Sequence, residues 1–198
     1  RRMSRRRFSV LLGVFVSWLF LASAAFAHDL ARLEQGFPLA HVDDERFAEL
    51  FREDQRDRFE GVPADVMRAR DAERREQMAA LLLEEPDMGA AEWFIAAIIF
   101  QHGAAISDYM LARRLAQEGY EETGHPSLGW MIAATTDRAR LSLNEDQLYG
   151  TQFRCVDGRF VARPIEDSET IDARRAELGL QSFADYAARS QEHACDGP

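Results

Sequence analysis

The chain has 198 residues, with 34 acidic side chains against 24 arginines, no lysine, and a net charge of −10. Five of those arginines and none of the acids fall in the first 27 residues, so the remainder carries −15. So acidic a body excludes nucleic-acid binding, which needs clustered cations, and it is long enough for one domain with a proper core.

In chain order, residues 1–27 read as a signal peptide. Arg5, Arg6 and Arg7 form a basic head, Val10 to Ala25 is an almost unbroken apolar run, and Ala25-Phe26-Ala27 offers a small-x-small cleavage site. The apolar run is shorter than the roughly 20 residues that span a bilayer. Cleavage is therefore expected over anchoring, with no stable membrane insertion afterwards. Ser4-Arg5-Arg6-Arg7-Phe8 also resembles a twin-arginine signal, whereas the greasy core around Leu11, Leu12, Trp18 and Leu19 favours general secretion. The expected product is a single helical domain, 28–198, periplasmic or secreted. In an oxidising compartment Cys155 and Cys195 can pair. That bridge would close a loop of about 40 residues, a constraint worth about 4 kcal/mol; two unpaired cysteines are the alternative.

Helix follows helix after that. Asp43-Asp44-Glu45 precedes the stripe Phe47, Leu50, Phe51, which predicts a helix to about Phe59 that stops at Gly61. Pro63 opens a second, carrying Val66, Met67, Met78, Leu81 and Leu82 and ending before Pro86. Its charged middle, Arg68 to Gln77, reads as a solvated face with i,i+4 pairs. A third, Ala90 to His102, is apolar almost all round and should be central. Ser107 is the expected cap of a fourth, with Tyr109, Ala112 and Leu115 inward, and Pro126 opens a fifth that reaches about Leu143. Between Thr151 and Ile165, Asp157-Gly158 separates short apolar runs, a hairpin signal. Two helices close the chain: one from near Ser168 to Gly179, and one opened by Ser182 with Asp185 three residues on. Trp93 and Trp130 read as core aromatics.

Glu92-Trp93-Phe94-Ile95-Ala96-Ala97 aligns with Gly129-Trp130-Met131-Ile132-Ala133-Ala134 at an offset of 37. Small alanines, an aromatic near the helix start and a closing Pro126 resemble tetratricopeptide-like hairpins. The alternative is two amphipathic helices with a chance likeness.

The same offset sets Phe100-Gln101-His102 opposite Asp137-Arg138-Ala139, polar groups at the C-terminal ends of two greasy helices. Such groups must be hydrogen-bonded or lie near water. Gln147-Leu148-Tyr149-Gly150-Thr151-Gln152 then brings four neutral hydrogen-bonding side chains into six residues. Phe100-Gln101-His102-Gly103, Asp137-Arg138 and Gln147-x-Tyr149-Gly150-Thr151-Gln152 together resemble an uncharacterised bacterial domain-of-unknown-function family. Pro164-Ile165-Glu166-Asp167, Arg174-Arg175 and Gly179-Leu180 extend the likeness, which covers roughly residues 46 to 186. The family's Gly-Trp-Pro loop is replaced here by Glu84-Glu85-Pro86-Asp87. The resemblance implies a mostly helical domain with one hairpin and brings no activity.

Two readings of the polar set stay open. His102 could be a base oriented by Asp137, with Tyr149 or Thr151 holding a substrate. Otherwise Arg138 pairs with Asp137, and Gln147, Tyr149, Thr151 and Gln152 plug helix ends. Glu122-x-x-His125 offers too few ligands for a metal, and His28, as a new N-terminus, is only a weak copper motif. His41 and His193 have no chemical spacing. The expected fold is therefore all-α, stacked antiparallel tetratricopeptide-like hairpins with one short β-hairpin near 151–165. The leading function is an exported scaffold or binding domain for a peptide or protein, with no cofactor or metal implied. The rival is a small hydrolase built on Gln101, His102, Asp137, Arg138 and Tyr149.

Overall fold

The computed structural model describes residues 42–190. The expected signal peptide, His28, His41, His193 and the Cys195 half of the expected bridge lie outside the described residues. Helix α1 (Glu45–Phe59) begins where Asp44, in extended backbone, accepts a hydrogen bond from the Arg46 amide at 3.0 Å, the standard side-chain cap. Its stripe of Phe47, Leu50 and Phe51 is buried, and Gly61 follows at φ +64. Helix α2 (Ala64–Leu82) starts directly after Pro63.

Helix α3 (Ala90–Gln101) is the centre. Phe94, Ile95, Ala96, Ala97, Ile99 and Phe100 are all buried, because no face of this helix is polar enough to meet water. The Glu92 carboxylate ties its start down, accepting from the Gly89 amide at 3.0 Å and from the Asp43 amide at 2.6 Å. Helix α4 (Ile106–Thr123) starts one residue before the expected Ser107 cap. Asp108 reaches back to the Ala105 amide at 3.2 Å, and an acid at the third helical position does this better than a first-turn serine. It ends at Gly124, φ +64. Helix α5 (Pro126–Ser142) has Pro126 in its first turn and His125 as its cap, the ring nitrogen accepting from the Ser127 amide.

α3 packs on α4, α4 on α5, and α3 also touches α5; α1 lies against α2 and α3. Connections of two to four residues force antiparallel neighbours. Gly119 near the end of α4 accordingly lies under Trp93 near the start of α3, where an added Cβ would meet the indole at 2.4 Å. Ala96, Ala97, Ala133 and Ala134 are all fully buried, which lets backbones approach. Trp93 and Trp130, expected in the core, are only half-buried. Trp93 instead donates its indole N–H to Glu122 at 2.9 Å, since a polar tip keeps one edge of the ring toward water.

Strands β1 (Phe153–Val156) and β2 (Arg159–Ala162) pair antiparallel across Asp157 and Gly158, both at positive φ. That is the geometry an Asp-Gly turn adopts. An isolated bridge from Gln147 to Ile165 closes the base of this excursion. Helices α6 (Ile171–Glu177) and α7 (Phe183–Ser190) end the described chain, with Ser182 and Asp185 exchanging the expected capping bonds. The molecule is thus mostly helical with one small antiparallel sheet. One expectation holds only in part: Arg68, Arg70, Glu73, Glu76 and Gln77 in the middle of α2 are exposed, but Asp71 and Arg74 are buried. Among the described residues no helix is long and apolar enough to cross a membrane.

Candidate functional site

Asp137, fully buried on α5, is where the polar corner is built. Its Oδ1 accepts from the amides of Leu148 (2.7 Å) and Tyr149 (3.0 Å), and its Oδ2 from the amide (2.9 Å) and hydroxyl (2.8 Å) of Thr151. A carboxylate with four donors is fully engaged. The turn needs Gly150, which stands at φ +68 with the Phe183 ring only 2.6 Å from where a Cβ would be. Gln147, also fully buried, laces the loop shut: its side chain donates to the carbonyls of Arg163 (2.7 Å) and Gln152 (3.2 Å) and accepts from the Gln152 amide (2.9 Å). The Gln152 side chain donates to Thr151 Oγ1 at 3.0 Å.

Arg175, 1% exposed, grips the same loop from the other side. Its Nη1 donates to the Tyr149 carbonyl at 2.6 Å, its Nε donates to the Gln181 carbonyl at 2.7 Å, and its guanidinium lies 4.9 Å from the centre of the Tyr186 ring. Burial lowers its pKa, offset by Tyr186, Asp172 and Asp137. The backbone of Tyr149 is therefore held at both ends, N–H by Asp137 and C=O by Arg175. Its phenol, half-buried, makes no hydrogen bond to any described residue.

His102 does not meet Asp137. Its Nδ1 lies 3.0 Å from Oδ1 of Asp54 on α1, which makes Nδ1 the N–H donor and leaves Nε2 without a bond to a described residue. Asp137 and Arg138 do not pair either. Successive helical residues point about 100° apart, so Asp137 turns to the loop while Arg138 faces α4. Asp54 is shared: it also accepts from Arg58 at 2.8 Å. Arg58 goes on to Asp71, and Arg74 bridges Asp57 (2.7 Å) and Asp71 (2.6 Å). The network welds α1 to α2 with charges that composition alone placed in solvent. Burial alone would raise the Asp57 carboxyl, but hydrogen bonds from Arg74 and Arg70 bring it below its ordinary value.

Arg113 and Arg138 take no part in this network, in which Arg74 Nε is itself buried without a hydrogen-bond partner. Arg113 on α4 and Arg138 on α5 form no ion pair among the described residues, and the Nε of each is buried with no acceptor. Burial lowers the Arg138 pKa, with the Tyr109 hydroxyl as its favourable neighbour and Arg58 as an unfavourable one. Burial raises the Tyr149 phenol, which feels Arg113 and Arg174 in one sense and Asp137 and Glu177 in the other. The Gln101 carbonyl oxygen is likewise buried without a donor. Gln101 and His102 stand at the C-terminal end of α3, whereas Gln147, Thr151 and Gln152 are laced around Asp137 and the Tyr149 backbone.

Sequence reading missed Asp54, Arg58, Tyr109 and Arg113. The spacing Tyr109-x-x-x-Arg113 sets both on one face of α4, and Asp54-x-x-x-Arg58 does the same on α1; these were the available signals. Glu122 and His125 are occupied with Trp93 and Ser127. No group of three or more His, Cys, Asp or Glu side chains among the described residues is placed to hold a metal ion. A groove of about 490 Å³ between Trp130, Leu180, Tyr186 and Arg189 is also lined by Arg175 and Gln181, so it adjoins the grip of Arg175 on the loop.

The sequence model of a family of unknown function, DUF6624, matches residues 64–195. No curated protein and no solved structure matches.

Proposed function

This chain belongs to DUF6624, a family of unknown function, and we propose that it is an exported domain that binds a ligand at the Tyr149 corner. The observation that carries this reading is the treatment of Tyr149. Its backbone N–H and C=O are both fixed by buried charged side chains, Asp137 and Arg175, while its hydroxyl has no hydrogen-bond partner among the described residues. A loop that merely plugged a helix end would gain nothing from a phenol left unbonded on so firmly held a backbone. A binding site gains a backbone already ordered beneath its contact group, which lowers the entropy cost of association.

Export rests on the basic head, apolar run and Ala-x-Ala site of residues 1–27. Sequencing the N-terminus of the protein from a periplasmic fraction tests it; a start at His28 is expected. The stack of antiparallel helical hairpins suits a scaffold that presents a corner between helix ends. Binding is tested by screening a small-molecule and short-peptide library for thermal stabilisation of wild type, Tyr149→Phe and His102→Ala. Hits that stabilise wild type and lose at least half of the shift in Tyr149→Phe support the site. A library with no such hit, with both variants melting as wild type does, overturns it.

One observation favours a second reading, a small hydrolase. His102 hydrogen-bonded through Nδ1 to Asp54 has the arrangement of a base held by its orienting carboxylate, with Nε2 available. In that reading Asp54 takes the place assigned from sequence to Asp137. Turnover of an ester or amide probe by wild type, lost in His102→Ala at unchanged melting temperature, would move the protein into that class.

A further inference from the structure

The groove of about 490 Å³ beside the Tyr149 loop is built jointly by α5, the turn after α6, and α7. Its size is that of pockets that take a small ligand. Gly129 is the reason these elements meet. A Cβ there would lie 2.3 Å from the Leu178 carbonyl oxygen, so the start of α5 is pressed against the end of α6. Trp130 is thereby set beside Leu180 and Gln181, and all three line the groove. Trp93, its counterpart at an offset of 37, lies over Gly119 and is bonded to Glu122 instead. Tyr186 on α7 supplies a second aromatic wall. It is held by the Phe153 ring, 5.7 Å between centroids, and by the Arg175 guanidinium at 4.9 Å.

The charge of this groove runs against that of the chain. Two arginines line it and no acidic side chain does, in a protein with ten more acids than arginines. The smaller cleft between α1 and α2, about 230 Å³, instead mixes three acids with three arginines. Arg175, 1% exposed, is the buried cation of the groove. Its Nε and Nη1 are committed to the Gln181 and Tyr149 carbonyls, and Nη2 is the nitrogen that remains. Arg189, exposed and one turn along α7 from Tyr186, is the second. Two acids close in sequence are occupied elsewhere: Asp172 accepts from the Phe183 amide and Asp185 from the Ser182 hydroxyl, each at 2.7 Å.

We infer that this groove takes the C-terminal end of a peptide whose last residue is aromatic or large and aliphatic. The apolar side chain lies among Trp130, Leu180 and Tyr186, where burial and ring contacts hold it. The terminal carboxylate meets Arg175 and Arg189 in charge-assisted hydrogen bonds, for which a planar guanidinium is suited. The groove is open and not enclosed, so the rest of the peptide can leave into solvent. This goes beyond the Tyr149 reading: Arg175 bonds to the Tyr149 carbonyl alone, which Tyr149→Phe retains.

Calorimetry on the intact protein tests it with three probes: acetyl-Ala-Ala-Phe as the free acid, the same peptide amidated, and acetyl-Ala-Ala-Gly as the free acid. One site per chain is expected for the first. Each of the others should bind at least about tenfold more weakly, since each lacks one of the two contacts. Arg189→Glu, at an exposed position, should lose affinity by the same factor at an unchanged melting temperature. Trp130→Phe should keep the wall and most of the affinity while losing most of the change in tryptophan emission on binding. Tyr149→Phe should bind as wild type does. Absence of binding by the free acid overturns the inference, as do equal affinities for acid and amide, or wild-type affinity in Arg189→Glu. A comparable loss in Tyr149→Phe also overturns it, by placing the ligand at the corner. Binding seen only in Glu192→Gln with Asp196→Asn would assign the groove to the chain's own end. A dimer broken by Arg189→Glu, without peptide binding, would assign it to a second copy; either result overturns the inference. Should the library screen return no Tyr149-dependent ligand while this peptide pattern is obtained, the corner reading fails and the groove stands.

Discussion

Asp137 is the side chain whose loss should be felt most sharply. Asparagine in its place offers one acceptor oxygen and one NH₂ where four donors now converge, so at least one backbone N–H would face a donor and the charge assistance of the rest would be lost. Leaving buried donors unsatisfied costs about 1–3 kcal/mol each, partly relieved by relaxation. Asp137→Asn should therefore destabilise by about 3 kcal/mol in urea unfolding; a loss under 1 kcal/mol would mean that the carboxylate does not organise the loop. Gly150 and Gly61 form an internal control. Both have positive φ, +68 and +64, but a Cβ at Gly61 meets nothing within 4 Å, whereas at Gly150 it meets the Phe183 ring at 2.6 Å. Gly61→Ala carries only the left-handed backbone penalty, about 1 kcal/mol. Gly150→Ala adds steric overlap in a packed place and should cost more than about 2 kcal/mol. Equal midpoints for the two variants would contradict the packing of α7 on the loop.

Between elements, the least expected contact is the charge network joining α1 to α2. Asp57 accepts from Arg70 at 2.6 Å and Arg74 at 2.7 Å in a place where it is 5% exposed. Its folded pKa lies below the ordinary 3.8. A depressed carboxylate pKa contributes stability that is fully present above the unfolded value and is lost as pH falls through the folded one. Asp57→Asn should thus lose about 3 kcal/mol near pH 7, and the gap to wild type should narrow below pH 3.8. Midpoints of urea unfolding at pH 7, 4 and 3 would show it; a gap constant with pH would place the effect in packing. The helices themselves were legible, because caps, prolines and apolar stripes act within a few residues. Phe47, Leu50 and Phe51 on α1, the turn at Asp157-Gly158 and the Ser182–Asp185 cap needed nothing distant. Partner choice was not legible. Asp71 and Arg74 read as solvated because i,i+3 spacing fits a surface pair equally well, and only the arrival of Asp57 from α1 buries them. His102 and Asp137 looked like partners because they end matching helices, yet the nearest carboxylate to His102 comes from α1, which lies outside the apparent repeat. A pairing that depends on a third element leaves no periodic trace.

At the scale of the molecule, the family match and the physical domain do not begin at the same place. The match starts at residue 64, while α1 ends at Phe59. Yet α1 puts Phe47, Leu50 and Phe51 into the core at 0, 7 and 5% exposure. Burying each contributes about 2 kcal/mol, so their removal takes about 6 kcal/mol from a fold of this class, whose whole stability is about 5–15 kcal/mol. The same cut strips Asp54 from His102 and Asp57 from Arg74, which leaves Arg74 with Asp71 of its own helix as its one remaining carboxylate partner among the described residues. It also bares the inner face of α3, the central helix, against which α1 packs. A fragment of residues 64–198 should therefore lack a cooperative urea transition and bind a hydrophobic dye, whereas residues 42–198 should unfold in one step. Far-ultraviolet circular dichroism of the short fragment will keep much of its helix signal, since α3, α4 and α5 pack mainly on one another. Cooperativity, not helix content, is thus the quantity to read. A sharp transition in the short fragment would mean that the domain begins where the family match does, and that α1 with its Asp54 is an accessory to the fold.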